Sequence, residues 1–196
     1  SLVERLPASS QFGVSKEVYA KAAVREGSDG VLAVMDIKVF RFADIKPRGK
    51  PLLLVLENLE KPGNFGALAR SSDGVGVDAI VVLDPKADLF NPHAIRASVG
   101  ALFSQPVVAA THDEFFEYCA THAIKIVAAS PHAEKFHYQA DLTGAVALVL
   151  GSEAWGLSGA WKTSELIKIP MNGLADSLNV SVAGAVIMYE ILRQRS

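Results

Sequence analysis

From residue 51 onward the chain alternates short, apolar, β-rich runs with helical patterns, and this alternation constrains the fold more than any other feature. The runs are LLLVLE (52–57), AIVVL (79–83), PVVAA (106–110), IKIVAAS (124–130), AVALVLG (145–151) and LIKIP (166–170). Between them lie helical segments at Pro62 to Val75, Pro92 to Leu102 and Asp113 to Thr121, and a short one around Ser158 to Ser164. A last helix falls within DSLNVSVAGAVIMYEIL (176–192). Runs without a polar face belong to strands covered on both sides, and interleaved helices join parallel neighbours, so the spacing predicts an α/β core built on a mostly parallel sheet with helices on both faces. Ligands bind such sheets beyond the carboxyl ends of the strands, which points to the loops after Leu56, Leu150 and Ile169.

The last helix poses its own question. Val182, Val186 and Tyr189 recur at helical spacing, as do Ala183, Ile187 and Ile191, so the body is apolar nearly all round and is expected to be buried. Its entrance is crowded with Ser177, Asn179 and Ser181. One such residue suffices to cap a helix, and the surplus points to a ligand.

A chain of 196 residues, half of them hydrophobic, can build one domain with a sizeable core plus a small appendage. Its apolar runs are far shorter than the roughly 20 residues of a membrane helix, so no membrane partner is expected. The single Cys119 cannot form an internal disulfide and agrees with a reducing cytoplasm. A net charge of −2 argues against a nonspecific nucleic-acid binder, but residues 1–50 hold nine Lys and Arg against six Asp and Glu, and the remainder ten against fifteen. Arg41, Lys46, Arg48 and Lys50 cluster in one stretch that either touches phosphates or is a solvated linker. The first 50 residues offer a helix within Phe12 to Ala23 and a strand at VLAVM (31–35), without a complete core.

Several chemistries drop out. Gly74-Val75-Gly76 precedes a strand and lacks the third glycine of a dinucleotide fingerprint, and there is neither a Walker A loop nor a GxSxG elbow. His93, His112, His122, His132 and His137 show no HExxH pattern and no cysteine partner, so surface and loop roles are expected for them and no metal.

Three stretches remain, each at a place where ligand loops are expected. In ENLEKPGNFGALAR (57–70) a strand ends, Pro62-Gly63 turns the chain, and Asn64 can cap a helix carrying Arg70, whose fork suits a phosphate or carboxylate unless it is merely a surface arginine. In LVLGSEAWGLS (148–158) a buried strand runs into a glycine-flanked loop bearing Glu153, which is either a simple turn or a close approach to a ligand. IPMNGLADSLNVSVAGA (169–185) runs from strand through loop to capped helix, with Ala183-Gly184-Ala185 allowing another backbone to pack close.

Together these stretches resemble, in order and in content, the three motifs of the SpoU (TrmH) family of SPOUT-class RNA methyltransferases, over roughly residues 50–196. The resemblance implies an S-adenosylmethionine-dependent enzyme that methylates a ribose 2′-hydroxyl of structured RNA, with ribosomal RNA the expected target and tRNA the alternative. A non-catalytic knotted protein that binds RNA or the cofactor is the remaining reading. It implies further a C-terminal trefoil knot, a homodimer joined through the last helix, and a cytoplasmic location. Carried over position by position, Asn64, Arg70, Glu153, Ser177 and Asn179 match the family's catalytic positions, and Leu150, Gly151, Ile169, Met171 and Leu178 match the cofactor-binding ones. Residues 47–196 would form the catalytic domain. FGVSKEVYAKAAVREGSDGVLAVMDI (12–37) resembles the end of a small ribosomal-protein-like α/β domain, so residues 1–46 would be a partial RNA-binding domain and linker.

Overall fold

In the computed structural model, the structure describes residues 5–24, 30–47, 49–85, 88–152, 155–162 and 164–196. The chain divides into two units, Ser1–Ile37 and Lys38–Ser196. In the first, helix α1 (Lys16–Ala22) is capped by Ser15, whose side chain accepts from the Val18 amide. The strand expected at VLAVM does not form. Residues 31–35 carry no regular structure and are exposed, because a single apolar run has no partner strand among the described residues to satisfy its backbone.

The second unit is organised by β1 (Leu52–Glu57), all six residues of which are buried. Helix α2 (Pro62–Val75) follows, with proline in its first turn and Gly76 in the left-handed region (φ +80°) ending it. Then come β2 (Ala79–Leu83), α3 (Pro92–Ser98), β3 (Val107–Ala110), α4 (His112–Thr121), β4 (Lys125–Ala129), β5 (Lys135–Phe136), β6 (Val146–Leu150), β7 (Glu165–Lys168) and α5 (Val180–Arg195). The seven strands form one sheet in the order β3-β2-β1-β6-β4-β7-β5, and every pairing is parallel. The central pairing sets Leu52 beside Val146 and Leu56 beside Leu150.

Strand parity sorts the core into two layers. Leu52, Leu54, Leu56, Ile80, Val82, Leu148 and Leu150 face α2, α3 and α5. Leu53, Val55, Val81, Ala147 and Val149 face α4 and Trp161, with Ile45 also buried there. Each fully buried Leu or Val contributes about 1.5–3 kcal/mol, so covering both faces is what stabilises strands this short.

Helix α5 departs from expectation. Val180, Gly184, Ile187, Met188 and Ile191 are buried, but Val182 (49% exposed), Val186, Tyr189 and Leu192 form a solvent-facing apolar stripe. The periodicity showed that both faces are apolar, and could not show that this unit covers only one of them. Gly184 permits the covered side: a Cβ there would lie 2.5 Å from Leu68 Cδ2 and 2.7 Å from Leu150 Cδ1, so its absence lets α5 settle onto side chains of α2 and β6. No helix among the described residues is long and apolar enough to cross a membrane.

Candidate active site

The carboxyl ends of β4, β6 and β7 open into a cavity of about 650 Å³, within the range of roughly 300–1,000 Å³ that holds small molecules. Three chain segments build most of its wall. Leu150 ends β6, and Gly151 and Ser152 lead into a tight hairpin in which Ser152 and Gly156 exchange backbone hydrogen bonds of 3.1 and 2.9 Å. Ile169 and Met171 follow β7, and Ser177, Leu178 and Asn179 lead into α5. A third wall, Ser130 to His132 after β4, was not among the expected loops, because nothing in IKIVAAS marks its exit as different from any other strand end. Trp155, 83% exposed, and Leu157 complete the hairpin side.

Of the residues carried over from the sequence, Leu150, Gly151, Ile169, Met171, Ser177, Leu178 and Asn179 all line this one cavity. Asn64 joins them through a hydrogen bond from Asn179 Nδ2 to Asn64 Oδ1 at 3.2 Å, which ties the first stretch to the third. Asn64 does not cap α2 as expected. The helix starts at Pro62 after Lys61, placing Asn64 in its first turn with the side chain turned to Asn179 instead. The cap of α5 is Asn179, whose Oδ1 accepts from the Ser181 amide (2.9 Å) and hydroxyl (2.6 Å). Ser181 thus serves the cap, while Ser177 lines the cavity. Arg70 is exposed on α2, roughly 12 Å along the axis from Pro62 at 1.5 Å per residue, and does not line the cavity. Glu153 lies outside the described residues.

Below the cavity's hairpin lies a polar cluster that sequence reasoning missed. Glu57, the last residue of β1, is 1% exposed. Its Oε1 accepts from Ser158 Oγ (2.6 Å) and His112 Nε2 (2.8 Å), and its Oε2 from the Ser158 amide (2.8 Å) and Trp161 Nε1 (2.9 Å). The other nitrogen of His112 bonds Asp84 Oδ2 at 2.8 Å. His112, 26% exposed, is therefore held rather than free at the surface: each ring nitrogen faces a carboxylate, and a ring that donates to both carries the extra proton. Burial of Glu57 works against its charge, but the donors from Ser158, Trp161 and His112 outweigh it and hold the carboxyl below the usual range. Burial also works against a charged His112, yet its hydrogen bonds to Glu57 and Asp84, and their negative charge, raise its pKa above the ordinary 6.5 or so.

A histidine whose folded pKa is raised contributes stability that is complete below the unfolded value near 6.5 and is lost as pH rises through the folded one. His112→Asn should therefore lower the melting temperature more at pH 6 than at pH 9, measured by calorimetry; an equal loss at both values would show that the charge of the ring plays no part. Cys119, buried in α4, has its thiol pushed up to about 12 by burial and is no nucleophile at neutral pH.

Comparison with known proteins decides the family. Residues 51–189 match the SpoU rRNA Methylase family. The chain belongs to that family. It is 35% identical, over 98% of its own length and 82% of the relative's, to the 23S rRNA (guanosine-2′-O-)-methyltransferase RlmB of Pasteurella multocida (strain Pm70). Its fold is similar to that of the SpoU methyltransferase AviRb from Streptomyces viridochromogenes, solved with AdoMet, with a TM-score of 0.77 and 32% identity, covering 82% of this chain and 63% of that one. It is also similar to the TrmH/SpoU tRNA modifying enzyme of A. aeolicus, with a TM-score of 0.67 and 30% identity, covering 77% of this chain and 78% of that one. The resemblance to the SpoU family is borne out, and with it, at the level of the family, the reading of an AdoMet-dependent RNA 2′-O-methyltransferase.

Proposed function

We propose that this chain transfers a methyl group from AdoMet to a ribose 2′-hydroxyl of ribosomal RNA. The observation that carries the reading is the convergence of the second and third SpoU stretches on one cavity, with the first tied in through the Asn179–Asn64 hydrogen bond. The lining fits AdoMet: Leu150, Ile169, Met171 and Leu178 offer an apolar slot for an adenine, and Asp176, Ser177 and Asn179 offer polar groups beside it. When bound, AdoMet supplies an electrophilic methyl group on a sulfonium. The chain's task is the nucleophile, because a ribose hydroxyl is a poor one while protonated and must be held in line. Asn179 and Asn64 orient the ribose at the rim. An arginine keeps its proton at neutral pH, so Arg70 acts as a phosphate clamp and stabilises charge developing on the hydroxyl oxygen, rather than serving as the base. Glu153 and Ser177 complete the polar set that the resemblance assigns.

The wider arrangement belongs to the same proposal. The apolar stripe of Val182, Val186 and Tyr189 on α5 supports a homodimer through that helix. Leu68 packs on Gly184 and Ser72 reaches Met188, which joins α2 to α5 and leaves Arg70, about 200° round the helix from either, exposed. A trefoil knot around the cavity, a cytoplasmic location, and a partial RNA-binding domain and linker over residues 1–46 preceding a catalytic domain over 47–196 complete the reading. Exposed Lys46 and Lys50 offer positive charge for RNA phosphates. The likeness to the A. aeolicus enzyme favours tRNA as the second substrate to test.

The test is transfer of labelled methyl from AdoMet to 23S rRNA and to tRNA, by wild type and by Asn179→Ser. Serine keeps the cap oxygen of α5, so it preserves the roughly 1 kcal/mol of a helix cap while losing the amide that reaches Asn64. Transfer to rRNA by wild type, reduced at least tenfold in the variant with its melting temperature nearly kept, is the expected result. Label in tRNA alone would change the substrate; label in neither RNA would favour the non-catalytic binding protein.

A further inference from the structure

Glu57 touches none of the cavity and yet meets the segment that walls it. Its four donors come from two places: the first residue of α4, and Ser158 and Trp161, which follow the hairpin of Ser152 and Gly156 and stand 101 and 104 residues away in sequence. Trp161 is 2% exposed and packs its ring against Phe115, Phe116 and His112 at centroid separations of 5.9, 5.5 and 5.6 Å. The segment from Gly151 to Trp161 is thus held at two ends, by β6 on one side and by Glu57 on the other. Of the described residues between them, Ser152, Trp155, Gly156 and Leu157 line the cavity, and Ser158 to Ala160 lead from it to Trp161. Asn58 and Asp84, which follow β1 and β2, both take left-handed φ values (+52° and +44°). Asn and Asp enter this region more readily than other non-glycine residues, and here they turn the chain out of the two strands beside the Glu57–His112–Asp84 chain.

We propose that Glu57 is a positioning residue for the methyl-donor cavity, its carboxylate clamping Ser158 and Trp161 so that Gly156 and Leu157 hold the shape that binds AdoMet. This rests on reading the cavity as the AdoMet site. A carboxylate is the group suited to the task. It accepts at all four of its lone-pair sites, whereas an amide at position 57 would turn an NH2 toward two of the present donors and leave them unpaired in a dry setting. The clamp acts on the empty protein as well as the loaded one, so it pre-organises the wall rather than touching either reactant.

The test is AdoMet affinity by calorimetry, alongside methyl transfer at saturating AdoMet, for Glu57→Gln, Trp161→Phe, Ser158→Ala and Ser158→Thr. Trp161→Phe removes one donor while keeping an aromatic ring in the same pocket, and guards against a Glu57 variant that fails to fold. Trp161→Phe and Ser158→Ala should weaken AdoMet binding about tenfold, equivalent to about 1.4 kcal/mol, with kcat falling less than Kd rises. Ser158→Thr, which keeps both the hydroxyl and the amide, should restore wild-type affinity. Backbone amides of Gly156 and Leu157 should exchange hydrogen faster in the weakened variants. Folded Trp161→Phe and Ser158→Ala proteins with lowered melting temperature and unchanged AdoMet affinity would make the cluster a matter of stability alone and overturn the inference. A wild-type chain that binds no AdoMet would instead overturn the proposed function, and this inference with it.

Discussion

Gly151→Ala should cost AdoMet binding about 10- to 100-fold and lower the melting temperature at the same time. A Cβ at position 151 would be driven into the carbonyl carbon and oxygen of Gly156 and would lie 2.6 Å from the Leu157 nitrogen. Those are backbone atoms. No rotamer change relieves the overlap, so the Ser152–Gly156 bridge must open or β6 must shift. Forcing atoms into packed space costs about 1–3 kcal/mol, and here the displaced atoms are themselves cavity wall, so the strain appears in affinity as well as stability. Gly144→Ala is the matched control, because a Cβ there meets nothing within 4 Å. Calorimetric titration of both variants checks the expectation. Equal affinities would mean that the hairpin does not form the binding wall.

Arg70→Ala should do the converse, removing turnover by on the order of 10²–10³-fold while leaving AdoMet affinity within about twofold. Arg70 lies on α2 outside the cavity lining, so nothing that holds AdoMet is lost with it. It is exposed, so little folding energy is lost either. On the role proposed, what goes is a positive charge that meets RNA, and the loss should fall on kcat and on the salt dependence of RNA binding. Arg70→Lys should recover only part of it, since a point charge does not replace a planar fork. Single-turnover transfer with calorimetry on the same preparations separates the two effects. A large loss of AdoMet affinity would move Arg70 into the donor site and contradict the role proposed.

The sheet was legible because its strands carry the signal in themselves. Continuous runs such as LLLVLE and AIVVL need no partner to be read, and β1 and β2 occupy those residues. The two residues of β5 are too few for any period to emerge. VLAVM failed for the opposite reason: its composition suits a strand, but a strand is a pairing, and no neighbour among the described residues supplies one. The site divides in the same way. Asn64, Asn179 and Gly151 could be located because short motifs carried them, although the role of Asn64 as a cap was wrong because Pro62 begins the helix two residues earlier. Glu57 was invisible despite opening the first of those motifs. In sequence it is merely the polar end of an apolar run, and its meaning lies in donors 55 to 104 residues distant. His112, read as one of five ordinary histidines, was hidden by the same separation.

The pairing of β1 with β6 has a consequence for how the chain acquires its structure during synthesis. Leu52 must wait for Val146, so the middle of the sheet is completed only after some 90 residues have been made in between. Contacts this remote in sequence slow folding, because the loop must close before any pairing rewards it. Nascent chains that have passed β1, β2 and β3 therefore carry a half-sheet with an uncovered central edge, the state in which such a protein is most open to aggregation and to chaperones.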